Sequence, residues 1–136
     1  MFHRHIEFYL HIIWSTWDRH PWIDALMRPH LHAMVASVAR RQGCSFVEVG
    51  GVSEHVHVLV RAPPTSAPSD LVRHLKGASS HFAHAELGVD SSYTWSEGYA
   101  LFSVDPSDVD SLATYIRDQP RHHSTGTQDP RRELPA

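Results

Sequence analysis

Two histidines flank a single valine in the run Glu54-His55-Val56-His57-Val58-Leu59-Val60. The run is rich in valine and reads as a buried strand. Side chains at i and i+2 of a strand leave the same face, about 6–7 Å apart along it. His55 and His57 can therefore reach one metal ion together, while Val56 and Val58 point into a core. Further along, Tyr115-Ile116-Arg117-Asp118-Gln119 places a tyrosine and a glutamine at helical spacing, on a shared face. A phenol, with a pKa of about 10, needs help to ionise at neutral pH. A divalent cation can polarise a phosphate and stabilise the charge that develops there. Two imidazoles, an amide oxygen, a phosphate oxygen and water make a mixed site suited to Mg²⁺ or Mn²⁺. The pattern points to metal-assisted phosphoryl transfer with Tyr115 as nucleophile and His55, His57 and Gln119 around the metal. No acidic cluster accompanies it, which weighs against a two-metal carboxylate nuclease.

Each of these residues also has a plainer reading. A His-x-His pair on a strand is more often a partly exposed face than a metal site. A tyrosine beside the Leu112 and Ile116 stripe is more often a core-edge residue. The chain holds 13 histidines, so a site must be picked by position and not by count. His3-Arg4-His5 has a charged spacer, and His30-Leu31-His32 lies in a predicted helix, where i and i+2 diverge by about 200°. His122-His123 reads as polar sequence after a helix rather than a second metal site.

At 136 residues the chain makes one domain that can bury about two-thirds of its unfolded surface. No apolar run approaches the roughly 18–20 residues of a membrane span. The N-terminus Met1-Phe2-His3-Arg4-His5 lacks the regions of a signal peptide, so a cytoplasmic protein is expected. Cys44 is the only cysteine, which excludes an internal disulfide and a cysteine-based zinc site. The net charge of −3 argues against a uniformly basic nucleic-acid binder, though not against a local basic groove.

The elements that must position these residues are legible in outline. His5 to Ser15 predicts a strand. A helix should start near Asp24 as N-cap or near Pro29, carry Leu31, Met34, Val35 and Val38, and end at Gly43. Cys44 to Val49 predicts a second strand, Gly50-Gly51-Val52-Ser53 a turn, and Glu54 to Arg61 a third strand, pairing as an antiparallel hairpin. After a Pro/Ser-rich loop, a helix from Ser69 or Asp70 buries Leu71, Leu75, Ala78 and Phe82. Its Arg73, Lys76, Ser79 and Ser80 could hold phosphates through charge and hydroxyl donors, against the plainer reading of a solvated face. Gly98 to Val104 predicts a fourth strand. Asp105 should cap a last helix with Pro106 at its first position. Residues 1–123 then form the domain, and 124–136, without apolar periodicity, a mobile tail. Trp14, Trp17, Trp22, Trp95 and Tyr99 could stack on bases but are better read as packing or dimer-contact residues. The order β-α-β-β-α-β-α is an α+β, ferredoxin-like antiparallel sheet with helices on one face, plus a C-terminal tyrosine helix.

Four ordered motifs carry a resemblance: His11-Ile12-Ile13-Trp14-Ser15-Thr16, the His55/His57 strand, Leu75-Lys76-Gly77-Ala78-Ser79-Ser80 with Trp95-Ser96-Glu97-Gly98-Tyr99, and Tyr115 through Gln119 with His122-His123. Together they resemble the single-tyrosine transposases of small bacterial insertion sequences and their REP-associated relatives, within the HUH endonuclease superfamily. The resemblance implies that His55 and His57 are the metal-binding pair, Tyr115 the nucleophile and Gln119 the third metal ligand. It implies cutting of single-stranded DNA, a 5′-phosphotyrosine link and a free 3′-hydroxyl that later attacks that link, so joining needs no ATP. It implies a homodimer that recognises DNA hairpin ends, with the tyrosine helix docked on the other subunit. Two departures stand out. Pro120 follows Gln119 and disfavours helix at that point, and the chain is less basic than DNA handling suggests. The alternatives are a non-catalytic single-stranded nucleic-acid-binding domain and an HUH nickase of the replication or relaxase kind. A short chain with one tyrosine helix and no helicase or primase extension favours the transposase.

Overall fold

The computed structural model describes residues 3–135, so the expectation for the N-terminus falls partly on residues outside it. Four strands, β1 (Tyr9–Ser15), β2 (Phe46–Gly51), β3 (His55–Arg61) and β4 (Ala100–Val104), form one sheet in the order β2-β3-β1-β4. All three pairings are antiparallel. Helices α1 (Arg28–Arg41) and α2 (Pro68–Ala85) connect the strands in the ferredoxin-like manner expected, and α3 (Val109–Arg117) and α4 (Gln119–Thr125) follow β4.

The period-two alternation of the strands divides the molecule. Leu10, Ile12 and Trp14 of β1 and Val56, Val58 and Val60 of β3 face α1 and α2, where they meet Leu31, Val35, Val38, Leu71, Val72 and Leu75 in the main core. Each fully buried aliphatic side chain there stabilises the fold by about 1.5–3 kcal/mol. The alternate residues take the opposite face. Leu59 packs there with Val109, Leu112, Ala113, Tyr115 and Ile116 of α3. His11, His55 and His57 share that second face, and all three are buried.

Several boundaries moved. Asp24 accepts from the amides of Leu26 and Met27 at 2.9 and 2.8 Å, so it caps a turn ahead of α1. The helix proper begins at Arg28, with Pro29 in its first turn, where proline's missing N–H costs nothing. Asp105 caps as expected, accepting from Ser107 N at 2.9 Å, but the cap opens a 3-10 turn (Pro106–Asp108) that leads into α3. Gly50 and Gly51, expected in a turn, are the last residues of β2.

Gly50 is the position that admits the last helices. It lies directly opposite His57 across the β2–β3 pairing. A Cβ built there would meet the Ile116 carbonyl oxygen at 2.1 Å. Only a residue without a side chain lets the α3 backbone come this close to the sheet. Gly50→Ala should therefore displace the C-terminal end of α3 and cost about 1–3 kcal/mol. Urea unfolding measures it: the midpoint should fall with an unchanged slope, and a midpoint equal to wild type would mean that α3 does not rest on this glycine.

Candidate metal and nucleophile site

β3 presents the two histidines side by side, with ring centroids 5.0 Å apart. Each has its Nδ1 tied down. His55 Nδ1 donates to Glu54 Oε1 at 2.7 Å. His57 Nδ1 lies 2.9 Å from His11 Nε2, with the two rings stacked. His11 pairs with Leu59 across β1–β3, which puts it diagonal to His57 on the same face. Burial, and then His57, push the His11 pKa down to about 3, so its ring stays neutral. Burial alone would lower the His55 pKa too, but the neighbouring Glu133 and Glu54 carboxylates outweigh it and raise it to about 9. Glu54 is held down at about 2: its own burial opposes this, and His55 and Arg19 overcome it. The anchors leave both Nε2 atoms facing a common centre, the second-sphere arrangement that metal-binding histidines require.

That centre can hold a cation. His57 Nε2 is fully buried and makes no hydrogen bond among the described residues. Glu133 Oε1 comes within 3.3 Å of it without the alignment of a hydrogen bond. An orphaned ring nitrogen in a buried polar cluster is costly unless a ligand satisfies it. One ligand atom from each of His55, His57 and Glu133 lies within 4.8 Å of the others. Gln119 Oε1 adds an amide oxygen 3.2 Å from His55 Nε2. This mixed nitrogen and oxygen set fits a divalent metal ion.

Tyr115 reaches the same centre from α3. Its ring lies 6.3 Å from that of His57 in an edge-on contact and stacks on His122 at 4.4 Å. Its hydroxyl donates to Glu133 and accepts from the Asp129 amide at 2.9 Å. Burial, reinforced by the Glu133 carboxylate, pushes the phenol up to about 12. Gln119 is fully buried, and its Oε1 also accepts from His123 Nε2 at 3.0 Å. Tyr115 and Gln119 do not share one continuous helix. The helix breaks at Asp118, because Pro120 has no amide to donate to Ile116 and its ring would clash with that carbonyl. Pro120 instead sits in the first turn of α4, and the break swings Gln119 onto His55. Within this single chain the tyrosine faces the histidines of the same chain.

The residues expected to touch DNA fall into two groups. Ser79 is fully buried; its hydroxyl donates to Leu75 O at 2.6 Å and accepts from Trp95 Nε1 at 3.1 Å. Lys76 Nζ is spent on the carbonyls of Ser96, Glu97 and Gly98 at 2.6, 3.2 and 3.1 Å, pinning the loop before β4. Neither presents a free donor to a phosphate. Arg73 is exposed beside Asp70, and Ser80 is half-buried. Among the aromatics, Trp14, Trp22 and Trp95 pack in the core, while Trp17 and Tyr99 are exposed.

Four site residues escaped the sequence reading: His11, Glu54, His123 and Glu133. The first could have been found, because strand alternation puts His11 on the face opposite Trp14. Glu54 precedes the pair directly. His123 was passed over as polar sequence. Glu133 lies in the stretch expected to be mobile, in a 3-10 turn (Pro130–Arg132) and its C-cap that polar contacts hold against α3, so no apolar pattern marks it.

A family model described as "Transposase IS200 like" matches residues 5–119. The chain is 26% identical over 114 residues to the ISDra2 transposase TnpA of Deinococcus radiodurans, covering 80% of this chain and 81% of that one. In fold it is similar to a crystal structure from Deinococcus radiodurans R1 described as a transposase, with a TM-score of 0.66 at 24% identity over 86% of this chain and 95% of that one. It is also similar to a REP-associated tyrosine transposase bound to a REP hairpin, with a TM-score of 0.62 at 16% identity over 93% and 74% of the two chains.

If His11 orients His57, His11→Phe should weaken Mn²⁺ binding about 10–100-fold. His11→Gln, which can still accept a hydrogen bond, should keep most of it. Calorimetric titration reads the affinity, and equal binding by both variants would remove His11 from the site.

Proposed function

Since the chain belongs to the family of IS200-like transposases, we propose that it cuts and rejoins single-stranded DNA through a covalent tyrosine intermediate. The observation that carries this is the convergence of Tyr115 with two buried histidines whose Nε2 atoms are left facing inward. The Tyr115 oxygen forms a bond to the scissile phosphorus, the bond to the 3′ oxygen breaks, and that oxygen leaves with a proton as a 3′-hydroxyl. A 5′-phosphotyrosine results, and attack by a 3′-hydroxyl reverses it with no outside energy source. Mg²⁺ or Mn²⁺ held by His55, His57 and Gln119 would supply charge stabilisation at the phosphate oxygens.

The chain's residues position the reactants. Glu54 and His11 fix the two imidazoles, and the Gly50 contact fixes the height of α3. His122, stacked on Tyr115, limits the swing of its ring. Arg73 is available for backbone phosphates, and exposed Trp17, Tyr99 and Phe102 offer faces for unpaired bases. DNA hairpin ends are the proposed partner, supported by the hairpin bound to the REP-associated relative. No helix of the described residues is long and apolar enough to cross a membrane. A homodimer remains part of the proposal, with each site completed inside its own chain.

Tyr115→Phe should abolish the covalent adduct with labelled single-stranded hairpins and Mn²⁺ while leaving hairpin binding within about twofold, since only the nucleophilic hydroxyl is lost. An undiminished adduct would move the nucleophile elsewhere, and binding without an adduct in the wild type would leave a binding domain.

Mixing Tyr115→Phe with His57→Ala subunits tests the arrangement. A site closed within one chain gives an inactive mixture. Restored cutting would show that the tyrosine helix crosses to the partner.

A further inference from the structure

We propose that residues 129–133 act as an internal stand-in for the scissile phosphate, seating Glu133 between Tyr115 and the histidine pair so that DNA enters only as this segment leaves. The inference rests on Tyr115 being the nucleophile.

A phenol oxygen has one hydrogen to donate and lone pairs to attack with. Here the hydrogen goes to Glu133 Oε2, and a lone pair accepts from the Asp129 amide at 2.9 Å. The nucleophile is engaged on both counts by one short segment. The other carboxylate oxygen, Oε1, lies 3.3 Å from His57 Nε2 and 3.5 Å from both His55 Nε2 and His123 Nε2. Gln119 Nε2 donates to Oε2 at 3.3 Å. A phosphodiester in the reactive pose must do the same things. Its phosphorus has to lie about 3–3.5 Å from the tyrosine oxygen, and its anionic oxygens must turn toward the histidines and any cation they hold. Glu133 supplies an anionic pair of oxygens in that volume. Two anions cannot occupy it together.

The segment is held in a way that permits release. Arg132 donates to Ser111 Oγ at 2.7 Å, and its guanidinium lies 5.6 Å over the Tyr115 ring. Asp129 accepts from the Arg131 amide at 3.0 Å. These are polar contacts at the surface, and such segments open at far lower cost than a packed core. DNA would compete directly for Glu133's place, and Arg131, already exposed, would face its phosphates. While the segment is seated, the apparent affinity for DNA falls in proportion to the fraction of molecules that are open.

The test uses the full chain with Glu133→Ala and the isosteric Glu133→Gln. Amide hydrogen exchange at Asp129, without DNA or metal, reads the seat itself and should accelerate about tenfold in Glu133→Ala. In a Tyr115→Phe background, Glu133→Ala should tighten binding of a single-stranded oligonucleotide about tenfold. With Tyr115 intact, it should speed adduct formation in Mn²⁺. Glu133→Gln, which keeps the shape and loses the charge, should fall between wild type and Glu133→Ala. A slower adduct together with weakened Mn²⁺ binding by calorimetry would overturn the proposal and make Glu133 a metal ligand of the reaction. Unchanged Asp129 exchange and unchanged DNA affinity would also overturn it. If no version forms an adduct, yet oligonucleotide still accelerates Asp129 exchange, the displacement stands and the nucleophile reading alone fails.

Discussion

Everything at the site depends on the register of β3 between β1 and β2. Its seven residues alternate between two faces of the sheet. Val56, Val58 and Val60 lock one face into the core beneath α1 and α2. The same locking turns His55 and His57 the other way. A slip of one residue would bury both imidazoles among aliphatic side chains and push three valines into the polar cluster. The hydrophobic effect on one face therefore sets the chemistry on the other. The histidines need no dedicated loop, because a strand at the centre of a sheet is the stiffest place the fold offers.

From that base the site is assembled by close approach. The bare backbone of Gly50 opposite His57 lets the Ile116 carbonyl settle on the sheet. That contact fixes the end of α3 and the height of Tyr115 above His57. The break at Asp118–Pro120 then redirects the chain, and Gln119 enters the polar cluster at the start of α4. A straight helix would have kept Gln119 on the Tyr115 face. The kink lets two residues four apart approach the histidines from different elements.

The polar network is close to complete, which makes its exceptions informative. His55 and Glu54 satisfy each other, His57 has His11, and Gln119 has His55 and His123. Of this network, His57 Nε2 is the fully buried atom that makes no hydrogen bond among the described residues. The carboxylate nearest to it comes from the far end of the chain and also holds the tyrosine. The cluster gathers five imidazoles, one carboxylate from the tail and a phenol around that nitrogen.

The sequence by itself determined the sheet, the face on which the histidines emerge, and the identity of Tyr115 as a helical residue beside an apolar stripe. These follow from local periodicity, which is written in neighbouring residues and survives without tertiary context. It also carried the family, because four short motifs in order are local too. It placed Gly50-Gly51 in a turn, since glycine pairs usually make turns, and only the packed helix revealed why a strand would end in them. It offered Lys76 and Ser79 as phosphate donors, and only folding turned them inward to the loop carbonyls and to Trp95. His11, His123 and above all Glu133 joined the site through tertiary structure alone. His11 meets His57 46 residues along the chain, and Glu133 and His123 meet the β3 histidines from the far end of it. A polar side chain carries no periodic signal, so nothing short of the folded chain says which distant histidine a carboxylate will meet.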